Sequence, residues 1–184
     1  LNESMSDVFG SMAKQYQAGQ TVAQADWLIG KELLLTPGEA LRSMKAPGTA
    51  YDNPELGKDP QPDRMSKYVQ LADSRRGDWG GVHINSGIPN RAFYLACVNL
   101  GAAHAWEKAG QIWYSTLCTR LGANATFTDA ARATVSVAQE RFGAAEASAV
   151  RAAWEEVEVL ERSPRVVVPK PPGKGRRKAS KPGP

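Results

Sequence analysis

The sequence predicts a mainly α fold of about five helices joined by one long irregular region. Three observations carry that expectation. Apolar residues recur at helical spacing over residues 1–18, and again from Pro89 to Val157. No stretch alternates apolar and polar residues as a half-buried strand does. Between the helical parts, Pro37, Pro47, Pro54, Pro60 and Pro62 interrupt helices and strands alike.

The first helix is set by Met5, Val8, Phe9, Met12 and Tyr16, with Gly19 as its stop. Glu3 and Asp7 stand four residues apart, on one face beside that stripe. Acids favour a helix start, so a solvated first turn is one reading and a working carboxylate pair is the other. Residues 20–80 open with the apolar piece Asp26-Trp-Leu-Ile-Gly and continue as loop. Long loops inside a compact domain are uncommon and often functional.

Pro89 suits the first position of a helix that runs through Phe93, Tyr94, Cys97, Val98 and Leu100 to Gly101. The next helix carries Ala105, Trp106, Ala109, Ile112, Trp113, Thr116 and Leu117. Another begins near Thr128 with Ala131, Val135, Ala138 and Phe142 on one stripe, and Gly143 ends it. The last groups Val150, Ala153, Trp154 and Val157.

The chain has 184 residues, enough for a packed core without disulfide staples. No apolar run approaches the roughly 20 residues of a membrane span. Its two cysteines, Cys97 and Cys118, both fall where buried helix faces are expected and are too few for a disulfide framework. From Ser163 onward there are seven basic residues and no acid, together with six of the 12 prolines. Residues 1–162 therefore hold 16 basic against 19 acidic residues and are mildly acidic. Two units follow: a helical domain over 1–160 and a disordered, Pro-rich basic tail over 161–184. The tail lacks interleaved aromatics, so weak, non-specific, salt-sensitive anion binding is the most it supports. The start at Leu1, without Met or a signal peptide, reads as a processed chain or the C-terminal part of a longer one.

The stretch richest in chemistry is Asp78-Trp-Gly-Gly-Val-His-Ile-Asn-Ser-Gly-Ile-Pro-Asn. Its glycines free the backbone around His83, one of two histidines. Asp78, five residues upstream, can fold back onto the imidazole, fix its tautomer and support a protonated ring that donates to an oxyanion. A helix-entry loop whose histidine bonds a carbonyl is the alternative. His104, in a run of alanines read as helix, suits a structural role. No Gly-x-Ser-x-Gly elbow, Cys–His pair or Gly-rich phosphate loop occurs, and no His-x-x-His or His-Glu-x-x-His pair. A complete catalytic zinc site cannot be assembled from these residues alone.

Asn-Glu-Ser-Met-Ser-Asp-Val-Phe-Gly (2–10), Leu-Arg-Ser-Met (41–44) and Gly-Gly-Val-His-Ile-Asn-Ser-Gly-Ile-Pro-Asn (80–90) resemble the thermolysin-like zinc metallopeptidases, in that family's order and spacing. The resemblance covers roughly residues 1–160, the helical C-terminal domain of the catalytic unit. Asp-Trp-Leu-Ile-Gly, Gly-Lys-Asp-Pro-Gln-Pro and Asn-Arg-Ala-Phe-Tyr-Leu place it nearest the protealysin-like branch. The resemblance implies a neutral zinc endopeptidase acting on peptide and protein substrates. Glu3 would be the third zinc ligand, and Asp7 a carboxylate orienting one of the two zinc histidines. His83 would stabilise the oxyanion, with Asp78 as its orienting partner. Arg42 would bond the substrate carbonyl beyond the scissile bond, and Ile29, Leu33 and Leu41 would line the apolar pocket for that residue.

The same resemblance marks what is lacking. The His-Glu-x-x-His half is a missing partner, so this chain is expected to be inactive by itself. Lys14, Leu28 and Lys31 stand where thermolysin has acidic calcium ligands, with Asp26 alone kept, so the paired calcium site is expected to be lost. Trp79 replaces a small polar residue, making the rim bulkier. Most relatives are exported, which implies a secreted protein, with periplasmic or cytoplasmic placement as alternatives. A different class of function, a non-catalytic helical module that binds peptides or a partner, has no chemical reason to keep Glu3, Asp7, Asp78, His83 and Arg42 together.

Overall fold

The computed structural model describes residues 1–34 and 36–162. The expectations for the basic tail fall almost wholly on 163–184, outside the described residues. Five helices of 11 to 16 residues account for the periodic segments. They are α1 (Asn2–Gln17), α3 (Gly87–Leu100), α4 (Ala109–Thr119), α5 (Phe127–Arg141) and α6 (Ala144–Glu156). A short sixth, α2 (Asp78–Asn85), immediately precedes α3.

The helix α3 is the central strut, packed between α1 and α6, while α5 contacts both α4 and α6. Its Ile88, Ala92, Phe93 and Ala96 are fully buried. Met5, Val8 and Met12 bring the stripe of α1 into the same cluster, but Tyr16 stays 70% exposed. A chain of rings crosses the core. Trp27 meets Phe93 edge-on at 6.1 Å, Phe93 meets Trp113 at 5.2 Å, and Trp113 stacks on Trp154 at 6.0 Å. Trp154 buries its one polar atom by donating to Thr134 Oγ1 at 2.8 Å, and Trp27 donates to the Val22 carbonyl at 3.1 Å. Truncating such rings costs about 3–5 kcal/mol each, so they fix the relative placement of the helices.

Several boundaries differ from the sequence reading. Pro89 is not the first residue of α3, which begins at Gly87. Ala105 and Trp106 precede α4, because residues 101–108 form turns after Gly101 adopts φ 61°. His104 is therefore in a turn rather than a helix; it stacks on Trp106 at 4.5 Å and pairs with Glu107 at 2.9 Å. Cys97 is buried but Cys118 is exposed, since α4 turns that position away from the core. The start of α5 is fixed by a capping box, in which Thr126 Oγ1 and the Asp129 carboxylate bond each other's backbone N–H.

The irregular region contains more pairing than its prolines suggest. Strand β1 (Leu28–Ile29) runs antiparallel to β2 (Arg42–Ser43), with Ile29 opposite Arg42. Strand β3 (Asp52–Asn53) pairs likewise with β4 (Gly57–Lys58). With two residues per strand, no alternating pattern could announce them. The first pair draws Arg42 up to α1.

Candidate active site

Two carboxylates of α1 take different surroundings although one turn separates them. Asp7 is 4% exposed and receives a forked pair of hydrogen bonds from Arg42, Nε to Oδ2 and Nη2 to Oδ1, each 2.8 Å. Asn90, fully buried on α3, adds a third at 2.8 Å. The solvated-turn reading of Asp7 is thus overturned. The Asp7 hydrogen bond, ahead of the opposing effect of burial, raises the pKa of Arg42 and keeps it charged. Glu3 looks outward and stands 3.2 Å from His83 Nε2, with the two side chains 36% and 53% exposed.

His83 is delivered to Glu3 by an unusual backbone. Asp78, Trp79, Gly80 and Gly81 all have positive φ, between 48° and 80°. Glycine adopts this at no steric cost; Asp78 and Trp79 do so at a cost of order 1–2 kcal/mol each. The resulting curl lets Asp78 Oδ2 accept the backbone N–H groups of His83 at 2.9 Å and Ile84 at 3.2 Å. Asp78 Oδ1 meanwhile lies 2.5 Å from His83 Nδ1. Asp78 thus caps the helical turn and orients the ring at once. Desolvation pushes the Asp78 carboxyl up, but the His83 side chain and the two N–H groups outweigh it, and its pKa is lowered. That hydrogen bond to Asp78 raises the pKa of His83 against desolvation, with Glu3 adding to the rise. With Nδ1–H committed to Asp78, the ring can donate from Nε2 only as an imidazolium.

Amide side chains outside the sequence-predicted set hold the curl in place. Gln61 Nε2 donates to the His83 carbonyl at 2.8 Å and to Ser86 Oγ at 3.0 Å. Asn85 bonds both backbone groups of Val69, each at 2.9 Å. Gly81 must stay bare, because an added Cβ would lie 2.7 Å from Asn85 Nδ2. Gln61 and Asn90 lie in quoted motifs, Asp-Pro-Gln-Pro and Ile-Pro-Asn, but a lone amide in sequence carries no sign of burial.

The remaining predicted residues flank this centre unequally. Ile29 and Leu41 are joined by a backbone hydrogen bond of 2.9 Å beside Arg42, and Leu41 is 38% exposed. Leu33, on a 3-10 turn after Gly30, is 73% exposed, and Trp79 is 59% exposed at the rim. At the expected calcium position, Lys14 Nζ bonds both oxygens of Asp26, at 3.1 and 3.3 Å, and the Leu28 carbonyl at 3.4 Å. Among the described residues no group of three His, Cys, Asp or Glu side chains could hold a metal, and no helix is long and apolar enough to cross a membrane.

Residues 1–159 match the family model for the α-helical domain of thermolysin metallopeptidases. An extracellular metalloprotease of Pectobacterium carotovorum subsp. carotovorum is 59% identical over 165 residues, covering 88% of this chain and 46% of that protein. Protease PrtS of Photorhabdus sp. (strain Az29) is 47% identical over 160 residues, covering 85% and 42%. The solved precursor of protealysin, a metalloproteinase from Serratia proteamaculans, superposes with a TM-score of 0.80 at 56% identity, over 86% of this chain and 49% of that one. The chain spans less than half the length of each.

Proposed function

The chain belongs to the thermolysin metallopeptidase family as its α-helical domain, and from that premise we propose that residues 1–160 supply one wall of a zinc endopeptidase site. The observation that carries this reading is the meeting of Glu3 and His83 at 3.2 Å, with Asp78 behind the ring. Glu3 would hold the metal as one carboxylate ligand, a donor type zinc accepts. One ligand of the usual three is a partial fit, so tight zinc binding needs donors from outside these residues. When bound, zinc supplies polarisation of the peptide carbonyl and activation of water.

The chain's own residues do the rest. His83, whose pKa the hydrogen bond to Asp78 raises, donates in its protonated form from Nε2 to the oxygen on which negative charge develops. Arg42 spends Nε and Nη2 on Asp7, which leaves Nη1 to donate to a substrate carbonyl. Ile29, Leu41 and Leu33 offer an apolar seat for the side chain just after the cleaved bond. Asp7 acts through Arg42 and Asn90, as a positioning residue. The Lys14 ammonium takes the place of a cation on Asp26 and Leu28, with Lys31 at 3.6 Å from the same carboxylate, which supports loss of the paired calcium site. The relative from Pectobacterium carotovorum is named an extracellular metalloprotease, and export is the reading for this chain too.

The 184-residue chain is expected to show no zinc-dependent cleavage of an internally quenched peptide. Cleavage that a chelator abolishes and zinc restores would overturn the single-ligand account.

A further inference from the structure

His83 is held through its own peptide as well as through its ring. Its carbonyl and the Ile84 N–H are the two sides of one planar peptide unit. The N–H side is taken by Asp78 Oδ2 at 3.2 Å. The carbonyl side accepts from Ser86 Oγ at 2.8 Å and from Gln61 Nε2 at 2.8 Å. Ser86 belongs to the same turn, three residues on. Gln61 comes from the irregular region, 22 residues upstream, and so ties the tilt of this peptide to that region.

Gln61 is itself seated from two sides. Asp59, 4% exposed, accepts the Gln61 N–H at 3.0 Å through Oδ1. Its Oδ2 accepts the N–H groups of Gly48 at 2.9 Å and Ala50 at 3.1 Å, which fastens the turn at 59–61 to residues 48–50. On the other side α3 begins with Gly87, where an added Cβ would lie 3.1 Å from Gln61 Cβ and 2.8 Å from the Pro62 carbonyl oxygen. The bare backbone there leaves room for the buried Gln61 side chain to reach the His83 carbonyl.

The ring has need of this support. It is 53% exposed, with Nδ1 2.5 Å from Asp78 Oδ1 and Nε2 3.2 Å from Glu3. Asp78 and Trp79 stand in left-handed backbone, which persists only where the surroundings over-determine it. A tilt of the 83–84 peptide would take the Ile84 N–H off Asp78 and free the ring to turn.

We propose that Gln61 is a positioning residue for His83: by fixing the plane of the 83–84 peptide, it keeps Nδ1–H on Asp78 and Nε2 directed at Glu3. The inference rests on the reading of His83 as the oxyanion donor, a role that needs one particular ring nitrogen free. The test reads the ring itself, on the full chain without metal or substrate. With isotope-labelled histidine, nitrogen NMR shifts give the tautomer of each neutral imidazole, and His104, the other histidine, is the internal reference. In the parent, His83 should be almost wholly the Nδ1–H tautomer. Gln61→Met keeps the volume and Gln61→Ala vacates it; both should lower that share to about half or less, with the His104 and core indole signals in place. Asn99→Ala removes another amide-to-carbonyl bond, to Ala149, and should leave the His83 tautomer as it was. A parent ring that is mostly Nε2–H would overturn the proposal. So would a folded Gln61 variant that keeps the parent's tautomer, or an Asn99→Ala chain that loses it. The tautomer is read whether or not the chain serves a peptidase, so failure here is distinct from failure of that reading, which kinetics decide.

Discussion

Asp7 and Glu3 occupy successive turns of one helix, yet their replacement should have opposite consequences. Asp7 is buried and holds the Arg42 fork and the Asn90 amide, so Asp7→Ala strands a charge and a donor. Loss of a buried charge partner predicts a destabilisation of about 3 kcal/mol in denaturant unfolding. Glu3→Gln, at a partly exposed position, should change stability by no more than about 0.5 kcal/mol. Asp63 supplies a pH dependence of known sign. Its folded pKa is lowered, chiefly by Arg64, so the folded state binds that proton more weakly than the unfolded chain does. The stabilisation is complete above the unfolded value of about 3.9 and is lost as pH falls below it towards the folded value. Unfolding midpoints measured between neutral and acid pH should show a steep acid limb that Asp63→Asn makes shallower.

The helices with a clean apolar stripe were legible in sequence because periodicity depends only on which residues are buried. Stripes in α5 and α6 lie on the core as their spacing implies, and that of α1 does so as far as Met12, beyond which Tyr16 is exposed. The start of α4 was not legible, since Ala105 and Trp106 continue the helical spacing through turns that Gly101 initiates. Asp78 and His83 could be paired by reach along the chain, but the run of left-handed residues that joins them could not be read from a sequence with only two glycines there. Gln61, Asn85 and Asn90 escaped for another reason: their partners lie 16 to 83 residues away, and nothing local marks an amide as buried. At the loop that begins with Asp26, the lysine pairing predicts that calcium leaves thermal stability unchanged. A midpoint that rises with added calcium and falls with a chelator would restore the cation site.

For the whole molecule, a single core carries a site whose parts come from α1, the β1–β2 pair and α2. On the reading proposed above, the domain contributes Glu3 as one carboxylate ligand, His83 as a ring donor and Arg42 as a guanidinium. On that reading the arrangement has chemistry only against a second wall. The most direct measurement joins this chain to the part of the Pectobacterium carotovorum metalloprotease that it does not match and compares kcat/KM of the chimera with that of its Glu3→Gln and His83→Ala variants. The predicted result is zinc-dependent peptide cleavage that Glu3→Gln abolishes and that His83→Ala lowers by about 10²–10³. A chimera that cleaves equally well with either residue replaced would contradict the account.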